Sequence, residues 1–167
     1  MLAPMKTRHL GWLTLMGGWL GACAPLPPAP GLARADLIQT WGAPTARYAL
    51  EAGAERLEYA SGPFGRTTWM VDVDAAGRVT RARQVLNEAE FLAVQSAPVL
   101  NRHDILRWLG TPGERRPGGW AGGEVWSWRY PTNDCLWFQA SLADDGQVTG
   151  AAYGIDPRCD TASDARN

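Results

Sequence analysis

The chain has 167 residues, 46% of them hydrophobic and 20% charged, with a formal net charge of −1. That balance fits one domain or two very small ones. It excludes long disorder, collagen-like repetition and a multi-pass membrane protein, and it leaves no electrostatic case for binding nucleic acid. Two features stand out: there are nine Trp, and every cation except Lys6 is Arg.

The N-terminus reads as a processing signal. Lys6 and Arg8 precede an apolar run over residues 10–20. Eleven residues are too few to span a bilayer as a helix and suit the core of a signal peptide. The run closes in Leu20-Gly21-Ala22-Cys23, which resembles a bacterial lipobox. The resemblance implies that residues 1–22 are removed, that Cys23 receives diacylglycerol on its thiol, and that its new amino group is acylated. Ala24 in place of Asp implies sorting to the outer membrane, lipid-anchored on the periplasmic side. Residues 23–31 carry four prolines and read as a semi-rigid tether rising about 3.1 Å per residue.

Next comes an internal repeat. Residues 34–44 lie on residues 102–112 at a shift of 68, and residues 73–80 on 142–149 at a shift of 69. Leu57-Glu58-Tyr59 is set against Trp128-Arg129-Tyr130. Leu37, Ile38 and Trp41, then Ile105, Leu106 and Leu109, each form one face of a short helix. Asn101 can cap the second helix, whereas Ala33 cannot cap the first. Gly42 and Gly110 stop the helices, and Pro44 and Pro112 block continuation. Strands of period two follow: Trp69, Val71 and Val73 in the first unit, and Trp126, Trp128 and Tyr130 in the second. Gly77 and Gly146 sit in hairpin turns, and residues 87–91 add a short helix between the units.

Each unit is therefore expected to be a helix followed by about three antiparallel strands. The units span 32–96 and 97–160, ahead of a disordered tail at 161–167. The fold class is α+β, with two tandem units packed side by side as one body and strands able to continue from one to the other. Trp41, Trp69, Trp126 and Trp128 are expected in the core.

A short helix closing in Leu-Gly-x-Pro, a Trp-x-Tyr strand and an Asp-x-x-Gly-x-Val hairpin resemble the BamE (SmpA/OmlA) lipoproteins. Duplicated, the pattern is similar to the tandem fold of the β-lactamase inhibitor protein. The motifs here are Trp41-Gly42-Ala43-Pro44 with Leu57-Glu58-Tyr59, and Leu109-Gly110-Thr111-Pro112 with Trp126-Ser127-Trp128-Arg129-Tyr130. They are mainly folding signals, and they specify architecture better than function.

No catalytic or metal-binding residue and no cofactor is expected. Mature chain His103 has no evident partners for a nucleophilic relay, and no phosphate loop, dinucleotide fingerprint or zinc spacing occurs. Cys135 and Cys159, an even pair in an exported chain, are expected to form a disulfide worth about 3 kcal/mol in the loop-entropy picture. The partner-binding candidates are Trp137, Trp120 and Trp108. Trp137 points away from the face that carries Leu136, Phe138, Ala140 and Leu142. Trp120 lies in a Gly-rich loop, and Trp108 lies on the less apolar side of its helix.

The functional expectation is a non-enzymatic scaffold or adaptor. It is held at the membrane by lipid on Cys23 and works through protein contacts, with no small-molecule substrate. The resemblance implies outer-membrane protein assembly or envelope integrity as the process. The alternative is an inhibitor of a periplasmic or extracellular hydrolase that uses the sheet face.

Overall fold

The computed structural model describes residues 26–159. The expected signal peptide at 1–22, Cys23 and the expected tail at 161–167 lie outside the described residues. Helix α1 (Arg34–Trp41) is followed by strands β1 (Ala46–Ala49), β2 (Glu55–Ala60), β3 (Thr68–Val73) and β4 (Val79–Gln84). Then come α2 (Glu88–Ser96), α3 (Arg102–Leu109), β5 (Glu114–Pro117), β6 (Glu124–Tyr130), β7 (Asn133–Leu142) and β8 (Val148–Ile155). The strands form two four-stranded antiparallel sheets of order β1-β2-β3-β4 and β5-β6-β7-β8.

The helix boundaries follow local chemistry. The Asn101 side chain accepts from the backbone N–H groups of His103 and Asp104, and the Asp104 carboxylate accepts in return from the Asn101 N–H, completing a capping box. Ala33 provides no such cap. The Asn87 side chain caps α2, which runs on to Ser96, beyond the five residues expected. Gly42 and Gly110 end their helices at φ 83°.

Three expectations are corrected. Each sheet has four strands rather than about three: β1 and β5 are four-residue edge strands directly after the Gly-x-Pro stops, too short to show periodicity. The strands do not continue from one unit to the other. The repeat register through the second strands is also 69 rather than 71. Tyr59 pairs with Trp69, and Trp128 pairs with Phe138, so Tyr59 corresponds to Trp128 and Leu57 to Trp126. A slip of two residues keeps every side chain on its face, which is why the apolar pattern could not detect it.

Helix α1 covers one face of the first sheet, and Leu37, Leu57, Val71, Val73 and Val79 form a small core there. The second core is larger and crosses the repeat boundary. Ile105 and Leu109 of α3 meet Phe91 and Val94 of α2, Trp126, Trp128 and Phe138 of the second sheet, and Met70, Val85 and Leu86 of the first unit. The back of the first sheet presses on the C-terminal end of α3. Fully buried Glu58 accepts hydrogen bonds from the Tyr48 hydroxyl at 2.6 Å, the Thr45 hydroxyl at 3.1 Å and the Thr111 N–H at 3.1 Å. Burial, and then the bond to Glu58, raises the Tyr48 hydroxyl well above its ordinary value. Arg56, paired with Asp72, also donates to the Arg107 carbonyl of α3 at 2.8 Å. The two units are thus one packed body.

This packing distinguishes two glycines of identical backbone. Both stand near φ 83° and ψ −170°, a region open only to Gly, where another residue costs about 1–3 kcal/mol. A Cβ at Gly42 meets nothing within 4 Å, whereas one at Gly110 comes within 2.8 Å of Thr68 Cγ2 and 3.0 Å of the Glu58 carboxylate. Gly110→Ala should therefore destabilise the protein by about 1–3 kcal/mol more than Gly42→Ala, as read from urea unfolding of the two variants.

Candidate functional site

The three Trp predicted to bind a partner have different fates. Trp137 points away from Phe138, as its register requires, yet it is only 1% exposed. The expectation that it lies on an open face is overturned. Its ring is covered by the Arg129 guanidinium, 4.8 Å from the ring centroid. Arg129 in turn bonds both oxygens of Asp156, at 2.5 and 3.1 Å, and donates to the Pro63 carbonyl at 3.1 Å. The β2–β3 loop of the first unit and the turn after β8 therefore roof this end of the second sheet. That cover comes from residues far off in sequence, which strand periodicity does not register.

Trp108 is also unavailable as a free anchor. It is half-buried against the second core, and its Nε1 donates to Glu90 at 2.6 Å. Trp120 is fully exposed on a single helical turn at Gly119–Ala121, within the Gly-rich stretch that the sequence reads as a loop. His103 is exposed. Among the described residues, no group of three or more His, Cys, Asp and Glu could hold a metal ion.

The Asp156 turn is fastened twice. Cys135 and Cys159 are joined in a disulfide with Cα atoms 5.6 Å apart, matching the sequence expectation. The Asp156 N–H donates to the Cys135 carbonyl at 2.8 Å. Burial alone would push the Asp156 carboxyl up. Hydrogen bonds from Arg129 and Arg158 outweigh that effect and hold it well below the usual carboxylate range.

Two further surfaces were not singled out from sequence. The first is the outer edge of β8. The Gln95 side chain of α2 donates to the Ala151 carbonyl, so Ala151, and by alternation Tyr153 and Ile155, turn their backbone groups outward. Past Ala151 the outer side of β8 pairs with no strand among the described residues. The other three edges carry charge or proline: Arg47 on β1, Arg81 and Arg83 on β4, and Glu114, Arg115, Arg116 and Pro117 on β5. Residues 148–155 carry neither. Tyr153, Ile155 (59% exposed) and Leu92 of α2 are exposed large apolar residues.

The second surface is a cleft of about 590 Å³ on the first unit, lined by Leu26, Trp41, Tyr59, Trp69 and the hydroxyl residues Thr40, Ser61 and Thr67. Trp41 meets Tyr59 and Trp69 edge-on, with centroids 5.4 and 5.8 Å away. Trp126 and Trp128 are buried as expected, whereas Trp41 and Trp69 are only partly buried and border this opening. The tether does not stand off from the domain over its described part. Pro28 is buried, the Gly31 N–H donates to the Val79 carbonyl, and the Val79 N–H donates to the Leu32 carbonyl.

Compared with known proteins, the chain matches no family model, no curated protein and no solved structure.

Two variants test the roofed end of the second sheet. Trp137→Ala should cost about 3–5 kcal/mol of stability, seen as a large drop in melting temperature. Asp156→Asn strands a buried Arg129 and should cost about 3–5 kcal/mol at neutral pH. Because the folded carboxyl is depressed, its contribution is fully present above the unfolded value of about 3.9 and is lost as pH falls through that value toward the folded one. Urea unfolding at neutral pH and again below about pH 3.9 should show the gap between parent and Asn variant narrowing in acid.

Proposed function

We propose that this protein is an outer-membrane lipoprotein facing the periplasm. It acts without enzymatic chemistry, as a scaffold or adaptor built on a tandem arrangement like that of BamE and the β-lactamase inhibitor protein. The basic, apolar and lipobox order ending at Cys23 supports the anchor. Several acyl chains on one residue give the stable attachment that a single chain does not. The observation that carries the adaptor role is the outer edge of β8. An uncharged strand with outward backbone donors and acceptors is a template for an extended segment of another protein, and sheets that avoid such pairing protect their edges with charge or proline. The other three edges here have that protection. Leu92, Tyr153 and Ile155 flank the open stretch and offer apolar contact to alternate side chains of an incoming strand. The resemblance to BamE points to a partner within the outer-membrane assembly machinery.

Replacing Cys23 with Ser should move the protein from the outer-membrane fraction to the soluble periplasm or leave it unprocessed. Retention on membranes after a salt wash would refute the anchor. Ile155→Lys puts a charge on the open edge at an exposed position, so its melting temperature should stay near that of the parent. Association with the barrel-assembly components recovered by the parent should weaken by about 1–2 kcal/mol, measured by quantitative pull-down from solubilised membranes. Undiminished recovery would remove β8 as the contact.

A further inference from the structure

The aromatic cleft has a counterpart in the second unit, and there it is filled. Phe91 of α2 stacks on Phe138 with centroids 4.3 Å apart and is completely buried, and Val94 one turn later is 3% exposed. Trp69 of the cleft stands at the repeat position of Phe138, Tyr59 at that of Trp128 and Trp41 at that of Leu109. In the first unit, residues 26–28, the described counterparts of the last three residues of α2, are not helical. Its residue at the position of Val94 is Leu26, which borders the cleft and is 85% exposed. Its residue at the position of Phe91 is Cys23: each lies eleven residues before the first residue of the following helix.

We propose that an acyl chain of the lipid on Cys23 fills the cleft lined by Trp41, Tyr59 and Trp69, taking the place that Phe91 holds in the second unit. The inference rests on the lipoprotein reading above. Cys23 lies three positions before Leu26, a reach of at most roughly 10 Å, so its lipid is within reach of the opening. The lining carries no charged side chain, and the three aromatic rings with Leu26 give it apolar walls, as suits an apolar occupant. A volume of about 590 Å³ lies within the ordinary range of ligand pockets. The acylated cysteine carries three chains, so two remain in the leaflet, enough for stable anchoring. The first unit is then held against the membrane rather than raised above it.

The test uses the full chain made in cells fed a fatty acid that carries a photoactivatable diazirine. After irradiation, the mature protein is digested and its lipopeptide analysed by mass. The expected result is an intrachain adduct joining the Cys23 lipid to peptides containing Trp41, Tyr59 or Trp69. A Leu26→Glu, Thr40→Glu variant places charge at the mouth from two exposed positions. It should lose that adduct while keeping its acyl mass and its membrane fractionation. Acylated Cys23 with no cleft adduct, adducts equal in the charged variant, or cleft adducts formed by phospholipid instead of the Cys23 chain would each overturn this inference alone. A mature Cys23 without acyl mass would overturn the lipoprotein reading together with it.

Discussion

Helix α3 has to satisfy two sheets at once, and the rest of the structure follows from how it does so. Ile105 and Leu109 face the aromatic side of the second sheet, while Gly110 backs directly onto Thr68 and Glu58 of the first. The approach is close enough that only a residue without a side chain fits. Glu58 enters this junction as a fully buried carboxylate, which is tolerable because three donors converge on it. Neither unit, at about 65 residues, would bury a generous core alone. Sharing Met70, Val85, Leu86 and α2 with the second unit makes one large core out of what the repeat divides into two.

A second tie forms at the far side of the second sheet. Arg129 projects from the face that alternation assigns to solvent, and it is nonetheless almost buried, because Asp156 and Pro63 both engage it. Each element of that roof depends on another. The disulfide keeps the Asp156 turn beside β7, Asp156 holds Arg129, and Arg129 covers Trp137. The Arg66–Asp134 ion pair adds a further link between the loop of the first unit and the second. This end of the molecule is closed by charge pairing rather than left open for a ligand.

The duplication is most informative where its halves differ. Both units start from the same helix, Gly stop and four-stranded sheet, yet the second receives α2 as a lid and the first receives a proline-rich segment. A helix delivers Phe91 and Val94 into the aromatic site, whereas among the described residues the segment at Leu26 leaves the equivalent site open. The edges differ in the same way: β8 is free of charge where β4, its repeat counterpart, carries two arginines. Both differences fall on surfaces rather than in the shared core, and in a duplicated fold those are the positions free to take on binding.

The sequence by itself determined the repeat, the ends of α1 and α3 and the faces of β2, β3, β6 and β7. Capping by Asn101, the stops at Gly42 and Gly110 and the turns at Gly77 and Gly146 are settled by local chemistry, and the pairing of Cys135 with Cys159 is what counting favours once Cys23 is set aside for lipid. It also placed Phe138, Ala140 and Leu142 on the buried side, since alternation survives any even slip. It could not place Trp137, because a strand's pattern says which side a residue faces and not whether that side is covered. It could not show that Trp41 and Trp69 border a cleft among the described residues, because periodicity does not register what a segment outside the strand covers. The roof over Trp137 and the junction at Glu58 bring together residues more than fifty positions apart, and contacts of that range are decided by how the sheets and helices pack.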